Sequence, residues 1–140
     1  PWMVVGQWHD QPDVAKGETW DTFESRSPPV SFGFGALDGH FGMTLVYGDA
    51  DGEVESSSPF FFELAAWHRL VTRIHWSRGN DGEAEAFLDG QSVATMTGPN
   101  MNNAAPHFFK LGLYRDAGIR TNNVLAFDDV RIGPTREDVE

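Results

Sequence analysis

"EAEAFLDGQSVATM", Glu83 to Met96, is the stretch on which the fold turns. Residues 83–88 and 91–96 each read as a short strand, and Asp89-Gly90 stands between them. Asp-Gly tolerates the positive φ angles of a two-residue hairpin turn, so the pair is the strongest hairpin signal in the chain. Working outward, the same grammar recurs: short alternating or aromatic-rich runs, punctuated by Gly, Pro, Asn and Asp. Residues 3–9, 30–37, 41–47, 69–77, 108–115 and 124–132 read as further strands. "GDADGE" (Gly48 to Glu53) and "RGNDGE" (Arg78 to Glu83) are turn clusters. Only "FFELAAWH", Phe61 to His68, reads as a helical turn.

Eight such strands with almost no helix predict an all-β fold: an antiparallel β-sandwich of jelly-roll, concanavalin A-like type. The 140 residues make one domain, 1–140, and 40% hydrophobic content is enough for a modest core. There is no apolar run of about 18 residues to cross a membrane as a helix. Without cysteine there is no disulfide framework, thiol nucleophile or thiolate metal site. A formal charge of −11 argues against nucleic acid as a partner. The charge is uneven, however. Residues 1–68 hold 2 Lys/Arg against 11 Asp/Glu, and residues 69–140 hold 8 against 10. An acidic ligand is therefore expected at the second half. The sequence opens at Pro1-Trp2 without an initiator Met or a visible signal peptide. That is the pattern of an expressed piece, a processed product or the remainder of a longer protein.

Alternation then sorts residues by face. In "VVGQWHD", Val4 to Asp10, Gln7 and His9 share one face and Trp8 takes the other. In "HFFKLGLYRD", His107 to Asp116, Phe109, Leu111 and Leu113 form the core set, opposite Phe108, Lys110, Gly112 and Tyr114. Gly112 leaves a gap between a lysine and a tyrosine, wide enough to admit a flat ring. In "HRLVTRIHWS", His68 to Ser77, the apolar set is Leu70, Ile74 and Trp76; Arg69, Arg73 and His75 make a cationic stripe on the other side. In "LAFDDVRIG", Asp128 falls on an apolar face with Val124, Ala126, Val130 and Ile132. A carboxylate there needs a salt bridge, a backbone donor or a cation such as Ca2+. "GPNMNNAAPH", Gly98 to His107, is a polar loop that borders a cleft or merely connects two strands.

Two segments together resemble the jelly-roll polysaccharide lyases: "QWH" (Gln7 to His9) and "FFKLGLY" (Phe108 to Tyr114). They are similar to the Gln-x-His and Tyr-Phe-Lys-x-Gly-x-Tyr strands of the alginate lyases and to related versions in heparin-lyase-like and glucuronan-lyase-like families. Phe108 stands where the first tyrosine of that motif is found. "FDDVRIG" resembles the closing strand of the superfamily, and the middle of the chain is similar in spacing to the heparin-lyase-like group. The resemblance implies β-elimination on an acidic, uronic-acid polysaccharide. Gln7 would hold the carboxylate, His9 or Tyr114 would take the C5 proton, and Tyr114 would protonate the leaving oxygen. Lys110 and Arg115 would bind neighbouring acid groups, and Asp128 would ligate a structural Ca2+; the stripe of Arg69, Arg73 and His75 is either a further substrate-binding surface or a solvated face. It also implies strands ahead of the Gln-x-His strand, one of them bringing an arginine to the carboxylate. Without those strands the sandwich is incomplete, completed as a homodimer, or closed in a different way. A secreted or periplasmic setting goes with the lyase resemblance. The alternative is a non-catalytic carbohydrate-binding sandwich derived from a truncated lyase domain.

Overall fold

The computed structural model describes residues 2–24, 26–37 and 39–140. Nine strands run in chain order: β1 (Met3–His9), β2 (Val30–Leu37), β3 (His40–Gly48), β4 (Val54–Ser56), β5 (Phe60–Phe61), β6 (Leu70–His75), β7 (Glu83–Leu88), β8 (Gln91–Thr97) and β9 (Phe108–Arg115). The larger sheet is ordered β4-β3-β2-β1-β9, with β5 pairing β3; the smaller is β6-β7-β8. Every pairing is antiparallel. The two sheets form the β-sandwich of a jelly roll. Asp89 and Gly90 take the positive φ angles, 50° and 85°, that the β7–β8 turn demands.

The core lies between the sheets. Val5, Val30, Phe32, Leu45 and Tyr47 come from the larger one, facing Ala84, Ala86, Ala94 and Met96 of the smaller. Small residues on β7 and β8 leave room for the aromatic rings opposite. Trp8 joins this layer against Phe32 and Phe109, so Gln7 and His9 project from the other side of the sheet. Leu70, Ile74 and Trp76 pack inward as their spacing predicts.

β1 does not keep a simple alternation. Between Val4 and Gly6 it carries one residue, Val5, where its neighbour β2 steps directly from Gly33 to Phe32. Over the same interval β9 carries two, Gly112 and Leu113. Such bulges bend a strand and increase its twist. Val5 turns into the core at 5% exposure, while Val4 faces the groove opposite Tyr114.

Two expectations are corrected. Residues 124–132 form no strand: Val124, Val130 and Ile132 are exposed, and no strand of the described residues pairs with them. Alternating apolar residues satisfy a strand only when a neighbouring backbone completes its hydrogen bonds. "FFELAAWH" holds no helix: β5 ends at Phe61, and a turn at Leu64–Ala65 is fixed by Ala65 at a φ of 60°. His68 pins the end of this loop, its Nε2 on the Glu63 carbonyl and its Nδ1 on Asp89.

Candidate active site

The outer face of β1 and β9 forms an open groove of about 440 Å³, lined by Gln7, His9, Arg26, Lys110, Gly112 and Tyr114, among others. Residues from the two ends of the sequence meet because β1 and β9 are direct neighbours. Gln7 pairs across the ladder with Lys110 and His9 with Phe108, so all four share a face. The His9 ring stacks on Phe108 with centroids 5.6 Å apart, and Phe23 meets its edge. Lys110 places its ammonium 5.0 Å from the same Phe108 ring. Tyr114 is exposed, with the Trp2 ring 4.9 Å away. A Cβ at Gly112 would touch nothing within 4 Å, so the gap beside Tyr114 is open space.

His9 is held from behind. Its Nδ1 lies 3.1 Å from the carbonyl oxygen of Asp10 and 3.1 Å from the Asp10 carboxylate. Both neighbours are acceptors, so the proton of the neutral ring belongs on Nδ1 and the lone pair on Nε2. Asp10 itself is fully buried. Burial pushes its carboxyl up, but hydrogen bonds from His9 and Asn102 and the charge of Arg26 outweigh that and hold it below the usual carboxylate value.

Arg26 is the groove residue that pattern reading missed. It reaches in from the connection between β1 and β2, where no periodicity marks it. Its Nε is 2.8 Å from Asp10 Oδ2, its Nη2 donates to Glu18 at 3.0 Å, and its guanidinium lies over Phe23. Nη1 has no hydrogen-bond partner among the described residues. An arginine thus reaches the Gln-x-His strand from after it in sequence.

The loop from Gly98 to His107 borders this end of the groove. Asn102 donates to Asp10, Asn103 donates to the Gln11 carbonyl, and Gln11 donates to the Pro106 carbonyl. His107 stacks flat on Trp76 at 4.1 Å; burial, partly offset by the charge of Asp10, lowers its pKa and keeps it neutral.

The remaining expected residues lie elsewhere. Arg73 and His75 are on β6 of the smaller sheet and Arg69 immediately precedes it. Arg73 is paired with Glu83 and Glu85 on β7, and His75 faces Asp81 at 3.8 Å. Alternation reads one strand at a time and does not see the carboxylates on the next. Arg115 is spent on the tail, donating to the Thr121 carbonyl and to Asn123. Leu111, expected in the core, is 41% exposed and lines the groove beside the bulge. Asp128 sits on no apolar strand face; it is exposed and accepts the Asp129 N–H, while Asp129 pairs with Arg131. No cluster of three or more His, Asp or Glu suited to a metal occurs among the described residues.

No curated protein and no solved structure matches the chain. A family model described as polysaccharide lyase matches residues 1–131, which include both walls of the groove. With that match over nearly its whole length, the chain belongs to the polysaccharide lyase family.

Proposed function

We propose that this protein cleaves a uronic-acid polysaccharide by β-elimination in the groove between β1 and β9. The observation that carries the reading is the convergence of Gln7, His9, Arg26, Lys110 and Tyr114 on one groove. The chemistry needs a neutralised carboxylate, a base for C5 and an acid for O4. While the uronate carboxylate keeps its full charge, C5–H is barely acidic; donors placed at that carboxylate stabilise the enolate-like intermediate. Gln7 and the open Nη1 of Arg26 are those donors. His9, with its lone pair on Nε2, takes the C5 proton; the electron pair forms the C4=C5 double bond as the C4–O bond breaks. Tyr114 gives its phenolic proton to the departing oxygen. Lys110 binds an acid group of a neighbouring sugar.

Five positions of β1 separate His9 from Val4, the partner of Tyr114, about 16 Å of extended strand. The reacting sugar therefore sits over Gln7, Lys110 and Gly112, between the imidazole and the phenol. Where the stereochemistry places H5 and O4 on the same side of the ring, Tyr114 serves both and His9 becomes a binding group. Trp20, exposed and braced edge-on by Phe23 and Phe108, offers a stacking surface at the His9 end. Alginate, glucuronan and heparin-like chains are the substrates to try. A structural Ca2+ at Asp128 would need oxygen ligands beyond those the tail brings; a melting temperature raised by calcium and restored by chelator is its test.

The experiment is incubation with a panel of alginate, glucuronan, heparin and hyaluronan, following the ultraviolet absorbance of the unsaturated uronate. Activity should fall by at least 10²-fold in Tyr114→Phe and in His9→Ala. Glycan retention without any chromophore would support a binding module instead.

A further inference from the structure

We infer that Asp10 is a positioning residue that sets the base and the carboxylate receptor of the groove at once. This rests on the lyase reading for its catalytic consequence and on geometry alone for its structural one. Asp10 is 0% exposed, yet its carboxylate meets three different elements of the site. Oδ1 lies 3.1 Å from His9 Nδ1, and Oδ2 lies 2.8 Å from Arg26 Nε and 3.2 Å from the amide of Asn102. The first contact belongs to β1, the second to the β1–β2 connection and the third to the loop that follows β8. A buried anion is tolerated only with such compensation, and removing it would leave the guanidinium and the imidazole without their common anchor.

The anchor does two separable things. Toward His9 its carboxylate places a negative charge 3.1 Å from Nδ1, beside the Asp10 backbone carbonyl that takes the hydrogen bond. It keeps the proton on Nδ1, together with its own backbone carbonyl, so that Nε2 presents its lone pair to the groove. Toward Arg26 it acts as a charge: with Glu18 on Nη2, it fixes the guanidinium so that Nη1 is the edge left for a ligand. The remaining ionisable neighbour, His107, is half-buried and neutral. It neither competes for Arg26 nor adds a second cation beside His9. An aspartate that orients a histidine base through Nδ1 while steering an arginine couples proton removal to carboxylate binding.

Two variants separate the functions. Asp10→Asn keeps an oxygen acceptor for His9 but loses the charge facing Arg26; it should raise KM about tenfold and leave kcat within a few-fold. Asp10→Ala removes both, and kcat should fall by about 10²-fold or more as well. A change that merely loosened the fold would not split the two constants in this way. Independently of any activity, the nitrogen shifts of 15N-labelled histidine should show neutral His9 protonated on Nδ1 in the wild type and a weaker Nδ1 preference in Asp10→Ala, where only the backbone carbonyl is left to hold that proton. Should Asp10→Ala fail to fold, the wild-type spectrum and Asp10→Asn still decide. A wild-type His9 protonated on Nε2, or Asp10→Asn with unchanged KM, overturns the inference. A wild type inactive on every polymer but with the Nδ1 tautomer would sink the lyase reading and leave the anchoring of His9 standing.

Discussion

Gly112 shows how much a single residue decides here. It adopts a φ of 149° within the bulge, and no atom lies within 4 Å of where a side chain would begin. Its lack of a side chain therefore suits the backbone and keeps the space beside Tyr114 open. Gly112→Val would strain the bulge and fill the space beside Tyr114. At least a tenfold loss of kcat/KM is expected, with a melting temperature lowered by a few degrees; unchanged kinetics would mean that the substrate does not pass this point. Gln7 and His9 were legible as one face of their strand, and Lys110, Gly112 and Tyr114 as one face of theirs, because a period of two is written in the sequence; only the lyase resemblance implied that the two faces share a groove. Arg26 and Asp10 were not. Arg26 sits in a connection without periodicity, and Asp10 is one residue beyond the strand, where sequence gives no sign that its carboxylate turns inward.

Among elements, strands of six residues or more read well, at sheet edges as well as inside. Strands β1, β2, β7 and β9 fall where the pattern put them, and β3, β6 and β8 within a residue or two at their ends. Strands β4 and β5, of three and two residues, have no pattern to read. They form because the β3 backbone offers them hydrogen bonds. The segment 124–132 is the converse case, with a strand's pattern and no ladder. The link between sheets was also hidden. Asn100, buried in the loop after β8, donates to the His75 carbonyl at 3.0 Å, accepts the Ser77 N–H at 2.8 Å, and lies 3.4 Å from the Tyr47 hydroxyl. Tyr47 in turn donates to the Met96 carbonyl across the sandwich. Asn100→Ala leaves several buried groups unpaired, so a loss of about 1–3 kcal/mol is expected in chemical denaturation. An unchanged midpoint would show that water replaces the amide.

For the whole molecule, acid should be the sensitive direction. His107 has a folded pKa below its ordinary value, chiefly through burial, so the unfolded chain binds more protons between those two values. Stability therefore falls as pH drops through that window. Asp10 has a folded value lowered by its partners against the opposing effect of burial. Its contribution is intact above the ordinary aspartate value and is lost as pH falls through the lower one. Melting temperatures taken against pH should thus decline in two steps on acidification. Because His68, raised chiefly by its bond to Asp89, works the opposite way in this range, the test is the difference from wild type: His107→Phe should alter the upper part of the profile alone, and a variant profile parallel to wild type there would refute the assignment. The overall charge of −11 could not have revealed this, nor that Arg26 and Lys110 line the groove.

Between the rung at Val4 and the rung at Gly6, three adjacent strands cover the same stretch with unequal lengths of chain: none in β2, one residue in β1 and two in β9. They resemble lanes on a running track, where the outer lane is longer only because the track bends. The sheet must curl there, and the hollow over β1 and β9 owes its bend to counting residues as well as to which side chains line it. Its floor can therefore be re-tailored for another polymer without flattening the vessel.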